Sequence, residues 1–174
     1  LPPHFDATYS LFTYDFPLDS LMQHYKYRNM LPLAYAFASL FHSYKLSAHA
    51  DITNIDLIMP MPMHRDRLKV RGFNQALELA RLISKSTNIS LDYSSCQRVK
   101  FTPPQASLPL KERIKNIRGA FSCQQNLHGK NIAIIDDVMT SGASLNELAK
   151  TLKEAGAAHV ECWVIARTLA KSND

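Results

Sequence analysis

The chain has 174 residues, 46% of them hydrophobic, with a formal net charge of +5. That length suits one domain with a sizeable core, and the longest apolar run, residues 31 to 41, contains Pro32 and Ser39 and is too short to cross a membrane. Cys96, Cys123 and Cys162 are odd in number and far apart, which argues against a disulfide framework or a zinc site and for reduced thiols in the cytoplasm.

No secretory signal is visible at the start, and Leu1 is the expected opening of a sequence that begins inside a longer protein. Residues 7 to 14 favour strand through β-branched and aromatic content. Pro17 opens a helix to about Tyr27. A second helix spans about Leu31 to Tyr44, with Pro32 tolerated in its first turn. Residues 1–50 are expected to form a hood-like region that covers a core of residues 51–174, the whole making one compact domain.

Asp56 to Met61 reads as a strand cut off by Pro60 and Pro62, and His64 to Gly72 as a basic loop. Asn74 caps a helix with Ala76, Leu79, Ala80 and Ile83 on its apolar face. A strand follows near Cys96 to Val99 and breaks at Thr102-Pro103-Pro104. Leu110 to Ile117 is a short amphipathic helix, and Ala120 to Ser122 is extended. Ile132 to Ile135 is a buried strand, a helix runs from about 145 to 155, and Val160 to Ile165 is the last strand. Strands alternating with helices predict an α/β fold, a mainly parallel twisted sheet flanked by helices.

Residues 132–144 read Ile-Ala-Ile-Ile-Asp-Asp-Val-Met-Thr-Ser-Gly-Ala-Ser. An apolar strand ends in two carboxylates, a loop of small residues follows, and a helix opens. Ser144 with Glu147 has the spacing of a capping box, and Gly156 sits where the helix should stop. The loop, Val138, Met139, Thr140, Ser141, Gly142 and Ala143, would present N–H groups at the positive end of a helix dipole, a ready phosphate site. Asp136 and Asp137 beside a phosphate make sense if they face sugar hydroxyls or a Mg²⁺.

Arg71-Gly72-Phe73-Asn74-Gln75 closes the basic loop at another helix start and makes a second anion site after a different strand. Arg71 is the expected pyrophosphate contact, with Arg65 and Arg67 behind it. Residues 98–121, rich in proline and basic groups, suggest a segment that covers the site, with Gln105, Lys111 and Arg113 as lid candidates.

The 132–144 stretch resembles the phosphoribosyl-diphosphate (PRPP) binding motif of type I phosphoribosyltransferases. Together with Arg71 to Gln75, Gln105, Arg113, Asn116, Gly119-Ala120-Phe121 and Lys26-Tyr27, the chain is similar to the ComF/GntX family, phosphoribosyltransferase-like proteins linked to DNA uptake and natural competence. The resemblance spans nearly the whole chain. It implies the type I phosphoribosyltransferase fold with PRPP as ligand: its phosphate held at Val138 to Ser144, its pyrophosphate at Arg71 and Gly72, its ribose hydroxyls at Asp136 and Asp137. Mg²⁺ would enter with PRPP, with Asp136 or Asp137 as a protein contact. The implied reaction displaces pyrophosphate from C1 by a nitrogenous base, and a homodimer is the implied assembly. Relatives usually carry an N-terminal four-cysteine zinc module, which this sequence lacks. A reading of a different class is a non-catalytic module that senses PRPP or binds single-stranded DNA or a competence helicase through its basic faces. Few aromatics interleave those basic clusters, as a stacking platform for single strands would require.

Overall fold

The computed structural model describes residues 2–27, 31–47, 54–102 and 110–169. Its centre is a five-stranded, all-parallel sheet. In chain order the strands are β1 (Ala7–Thr13), β2 (Leu57–Pro60), β3 (Ser90–Leu91), β6 (Asn131–Met139) and β7 (His159–Arg167). In space they lie β1-β7-β6-β2-β3. β4 (Cys96–Arg98) and β5 (Phe121–Cys123) form a separate antiparallel pair. The expected α/β architecture is therefore present. β6 and β7 are nearly all buried because parallel strands need helices on both faces.

Two helical layers supply that cover. On one face α1 (Leu18–Tyr27), α2 (Leu31–Ser47) and α4 (Gln75–Thr87) close over Ile58, Ala133, Ile135 and Trp163. Trp163 stacks on Phe41 with ring centroids 5.2 Å apart. On the other, α6 (Ala143–Glu154) lays Leu145, Leu148, Ala149 and Leu152 on Ile132, Ile134 and Val160. The Ala76, Leu79, Ala80 and Ile83 stripe of α4 is buried as its periodicity predicts. Within 1–50, β1 pairs with β7 at the sheet edge. α1 leaves the carboxyl end of β1 and reaches α4, where the Tyr25 hydroxyl donates to the Gln75 carbonyl at 2.8 Å.

β2 and β6 are neighbours. α4, between β2 and β3 in the chain, packs on one face, and α6, after β6, on the other. The chain diverges between the two strands, which makes their carboxyl ends the switch point where open α/β sheets bind ligands.

Several expectations are corrected. The basic segment after β2 is a helix, α3 (Arg65–Arg71), and not a loop. Its periodicity is mute because it buries no residue. The caps are what define it: the His64 side chain accepts from the Asp66 N–H, and Gly72 ends it at φ 85°. β6 also runs further than its apolar core. Val138 and Met139 lie in the strand, opposite Ala166 and Arg167, so they are not loop residues. The capping box does not form. α6 begins at Ala143 after Gly142 with no side-chain cap, and the Glu147 carboxylate instead accepts from the Gly119 N–H at 2.7 Å.

Candidate functional site

β2 stops at Pro60, opposite Ile135 of β6. β6 continues to Met139 with β7 on its other side. Beyond Ile135 it therefore has no main-sheet partner on the β2 side, and the two acids stand on that ledge. Successive strand residues project to opposite faces, so Asp136 and Asp137 straddle the strand.

Asp136 is half-buried, and its Oδ1 accepts the Asp137 N–H at 2.9 Å. It faces the α6 side, where its charge acts on Arg98 and on the Cys162 thiol. Burial pushes the Cys162 thiol well above the usual range, and Asp136 and Glu161 add to it. Burial lowers the Arg98 guanidinium, the nearby Arg67 lowers it further, and Asp136 opposes both. Arg98 also lies over the Phe121 ring, 5.7 Å to the centroid, and donates to the Thr102 hydroxyl. Arg98 thus lies within the electrostatic reach of both Arg67 and Asp136.

Asp137 faces α4 and is only 5% exposed. Its Oδ1 accepts the Val138 N–H at 2.7 Å and its Oδ2 accepts Gln75 Nε2 at 3.1 Å. The Val138 N–H is therefore directed at a carboxylate. Burial, with Asp137 and Glu78 nearby, raises the Tyr25 phenol far above its ordinary value.

The loop between β6 and α6 is Thr140, Ser141 and Gly142, followed by the first turn of α6. Thr140 and Ser141 are exposed and Ala143 and Ser144 half-buried. Gly142 takes φ 73°, and a Cβ there would lie 2.6 Å from Met139 Cε. The positive φ favours glycine, and a Cβ would also have to displace the tip of the Met139 side chain. Met139 is buried, and its carbonyl accepts both the backbone N–H and the hydroxyl of Thr168. Its part is to anchor the loop.

Arg71 closes α3, and its Nη1 donates to Gln75 Oε1 at 2.8 Å. Asn74 caps α4 through the Ala76 N–H and donates to the Met61 carbonyl at 3.1 Å, which ties the turn around Gly72 to the end of β2. Of the lid candidates, Lys111 and Arg113 lie on α5 (Leu110–Ile117), and Gln105 lies outside the described residues. Gln75 belongs to the stretch read from sequence as the second anion site, but its bond to Asp137 and the bond from Tyr25 to its carbonyl do not show there. The nearest signal for Gln75 was its place after an arginine, a glycine and a capping asparagine.

Two cavities lie at strand ends. One, about 750 Å³, lies beyond β2 and is lined by His64, Arg65, Asn74, Glu78, Tyr93 and Arg98 among others. The other, about 660 Å³, lies at the end of β1 against α1, with Phe12, Thr13, Asp15, Leu18, Leu21 and His24 in its wall. Among the described residues no helix is long and apolar enough to cross a membrane.

A family model described as the phosphoribosyl transferase domain matches residues 71–174. The chain is similar to Competence protein F of Haemophilus influenzae, 31% identical over 95% of this chain and 74% of that protein. It is also similar to the DNA utilization protein YhgH of Salmonella typhi, 31% identical over 97% of this chain and 75% of that protein. Among solved structures, the UMP synthase of Leishmania donovani is 19% identical with a TM-score of 0.44, covering 83% of this chain and 24% of that one.

Proposed function

This chain belongs to the phosphoribosyl transferase domain family, alongside Competence protein F and the DNA utilization proteins, and from that premise we propose that it binds PRPP with Mg²⁺ and transfers the phosphoribosyl group to a nitrogenous base, releasing pyrophosphate. The observation that carries the proposal is the switch point. Two helix starts suited to anions, at Gly142 and at Gly72 to Gln75, come after adjacent strands, with Asp136 and Asp137 on the ledge between them. A ligand with phosphate at one end, pyrophosphate at the other and vicinal hydroxyls between matches that order.

In this reading Thr140, Ser141 and the N–H groups of the α6 first turn hold the 5-phosphate. Arg71 and the turn at Gly72 hold the pyrophosphate. Asp136 and Asp137 orient the ribose, and their charge favours the positive ring that develops as the C1–oxygen bond breaks. The electron pair leaves with pyrophosphate, and the base nitrogen closes the new bond to C1. No group of three or more His, Cys, Asp or Glu converges as a metal cage among the described residues. The donor set therefore suits a Mg²⁺ carried mainly by ligand oxygens, with the half-buried Asp136 as its protein contact. Bound there, the ion would offset charge on the departing pyrophosphate.

The cavity at β1 and α1 is the proposed seat of the acceptor. Thr13 pairs with Arg167, which pairs with Met139, so its wall is in register with the foot of the phosphate loop. Two strand spacings put it roughly 10 Å away. Phe12 gives it an aromatic face and Asp15 a hydrogen-bonding group. A role in DNA uptake or use is proposed from the names of the relatives.

The test is calorimetric titration with PRPP and Mg²⁺, then a panel of bases scored for pyrophosphate release. Binding, and release that disappears when Asp136 and Asp137 are both changed to Asn, is the expected result. Failure to bind PRPP would overturn it.

A further inference from the structure

We propose that Gln75 is a positioning residue that couples the pyrophosphate end of the site to the ribose end. The proposal rests on the PRPP reading above. Gln75 is the first residue of α4 and is 7% exposed. Its side-chain amide stands between the two groups assigned to opposite ends of the ligand. Oε1 accepts from Arg71 Nη1 at 2.8 Å, and Nε2 donates to Asp137 Oδ2 at 3.1 Å. The orientation of the amide follows from the partners. A guanidinium only donates and an ionised carboxylate only accepts, so the oxygen must face Arg71 and the nitrogen Asp137.

The residue type is demanding. A glutamate could accept from Arg71 but would repel Asp137. A lysine could donate to Asp137 but not accept. A methionine of similar length could do neither. The helix itself does not require glutamine here, since Asn74 supplies the cap and Ala76, Leu79, Ala80 and Ile83 supply the buried face. The backbone is pinned as well. The Gln75 carbonyl accepts the Tyr25 hydroxyl at 2.8 Å, and the other Asp137 oxygen takes the Val138 N–H at 2.7 Å.

Buried hydrogen bonds between charged and neutral groups are short of alternatives, because losing a partner leaves a desolvated group unpaired. When pyrophosphate fixes Arg71, the amide between them holds Asp137 in the orientation that meets the ribose. Each end of the ligand then strengthens the hold on the other.

The experiment is a set of PRPP·Mg²⁺ titrations on the full chain. Gln75→Met should weaken binding by about tenfold or more, the scale of a coupling between sites. In the wild-type background the losses from Arg71→Met and Asp137→Asn should combine to less than their product, because breaking either end disables the same link. In the Gln75→Met background they should multiply, as independent changes do. Gln75→Glu supplies a signature that a packing defect lacks. It should bind poorly at pH 8 and recover as the pH falls, since a protonated carboxyl can again donate to Asp137 while accepting from Arg71. If Gln75→Met does not fold, that pH profile decides the matter alone.

Unchanged affinity in Gln75→Met overturns the coupling, as do losses that already multiply in the wild type or a flat profile for Gln75→Glu. In each case wild-type binding of PRPP leaves the ligand reading standing. Wild-type protein that does not bind PRPP overturns both.

Discussion

Asp136 and Asp137 are chemically identical neighbours with different surroundings, so their replacement should separate two effects. Asp136 offers a half-buried carboxylate that accepts the Asp137 N–H, a bond an asparagine oxygen can keep. Asp136→Asn should leave stability nearly unchanged and weaken PRPP binding by about 2 kcal/mol, the scale of a charge-assisted hydrogen bond. Asp137 is enclosed between the Val138 N–H and Gln75 Nε2, both donors. An asparagine there must turn its NH₂ toward one of them. Asp137→Asn should therefore lose about 1–3 kcal/mol of stability as well as affinity. Urea denaturation beside calorimetry measures both, and equal stability losses for the two variants would contradict the assignment. From sequence both acids look like solvated charges at a strand end. The burial of Asp137 is invisible there because its cover, Gln75 and Tyr25, comes from distant parts of the chain.

The glycines at the two anion loops differ in the same way. At Gly142 an alanine meets both φ 73° and Met139 Cε at 2.6 Å, and Met139 is itself buried. Gly142→Ala should cost about 1–3 kcal/mol, strain plus repacking, and should weaken PRPP binding through the displaced loop. At Gly72 φ is 85° but nothing lies within 4 Å of the added methyl. Gly72→Ala should cost only the left-handed backbone penalty, about 1 kcal/mol. Thermal melts of the two variants give the comparison, and a larger loss at Gly72 would be the contrary result.

At the scale of elements, what could be read from the chain depended on where the stabilising contacts lie. α4 and β6 show in the sequence because their own side chains fill the core, Leu79 and Ile83 in one, Ile132 to Ile135 in the other. α3 does not, because its seven residues bury none of themselves and are defined by caps at His64 and Gly72. β3 is two residues long and leaves no pattern. The start of α6 was misplaced for a tertiary reason, since Glu147, with capping-box spacing, is drawn to Gly119.

Just before β1, Asp6 makes one such distant contact, and that contact titrates. The Asp6 Oδ2 accepts the Val160 N–H at 2.8 Å and lies 2.7 Å from Lys153 Nζ and 3.4 Å from His159 Nδ1. Burial raises the Asp6 carboxyl, but Lys153, the Val160 N–H and His159 outweigh it, so it titrates below its ordinary value of 3.8. A carboxyl lowered in the folded state binds its proton first in the unfolded state. Its stabilisation is complete above the unfolded pKa and is lost as pH falls through the folded one. Asp6→Asn should lower the melting temperature relative to wild type at pH 7. That gap should narrow as the pH drops below about 4, and a gap that widened in acid would show the sign to be wrong.

For the whole molecule, the parallel order β1-β7-β6-β2-β3 gathers the proposed binding groups at the carboxyl ends of the strands, and further cations lie on α3 and α5. Turnover and nucleic-acid binding are therefore separable. Turnover needs the switch point, the ribose acids and an acceptor seat, all near the carboxyl ends of β1, β6 and β2. Nucleic-acid binding needs only cations, such as the exposed Arg65 and Lys69 on α3 or Lys111, Arg113 and Lys115 on α5. Phosphate contacts of that kind weaken steeply with salt, with a slope set by the number of cations engaged. The expected outcome is pyrophosphate release that requires both PRPP and a base, disappears with Asp136 and Asp137 changed to Asn, and persists when Lys69 is neutralised. The contrary pattern is PRPP binding without release across a broad base panel, together with single-stranded DNA binding whose salt slope falls when Lys111, Arg113 and Lys115 are neutralised. That result would make the chain a ligand-sensing module in which the phosphoribosyltransferase site reports PRPP and the basic faces do the work.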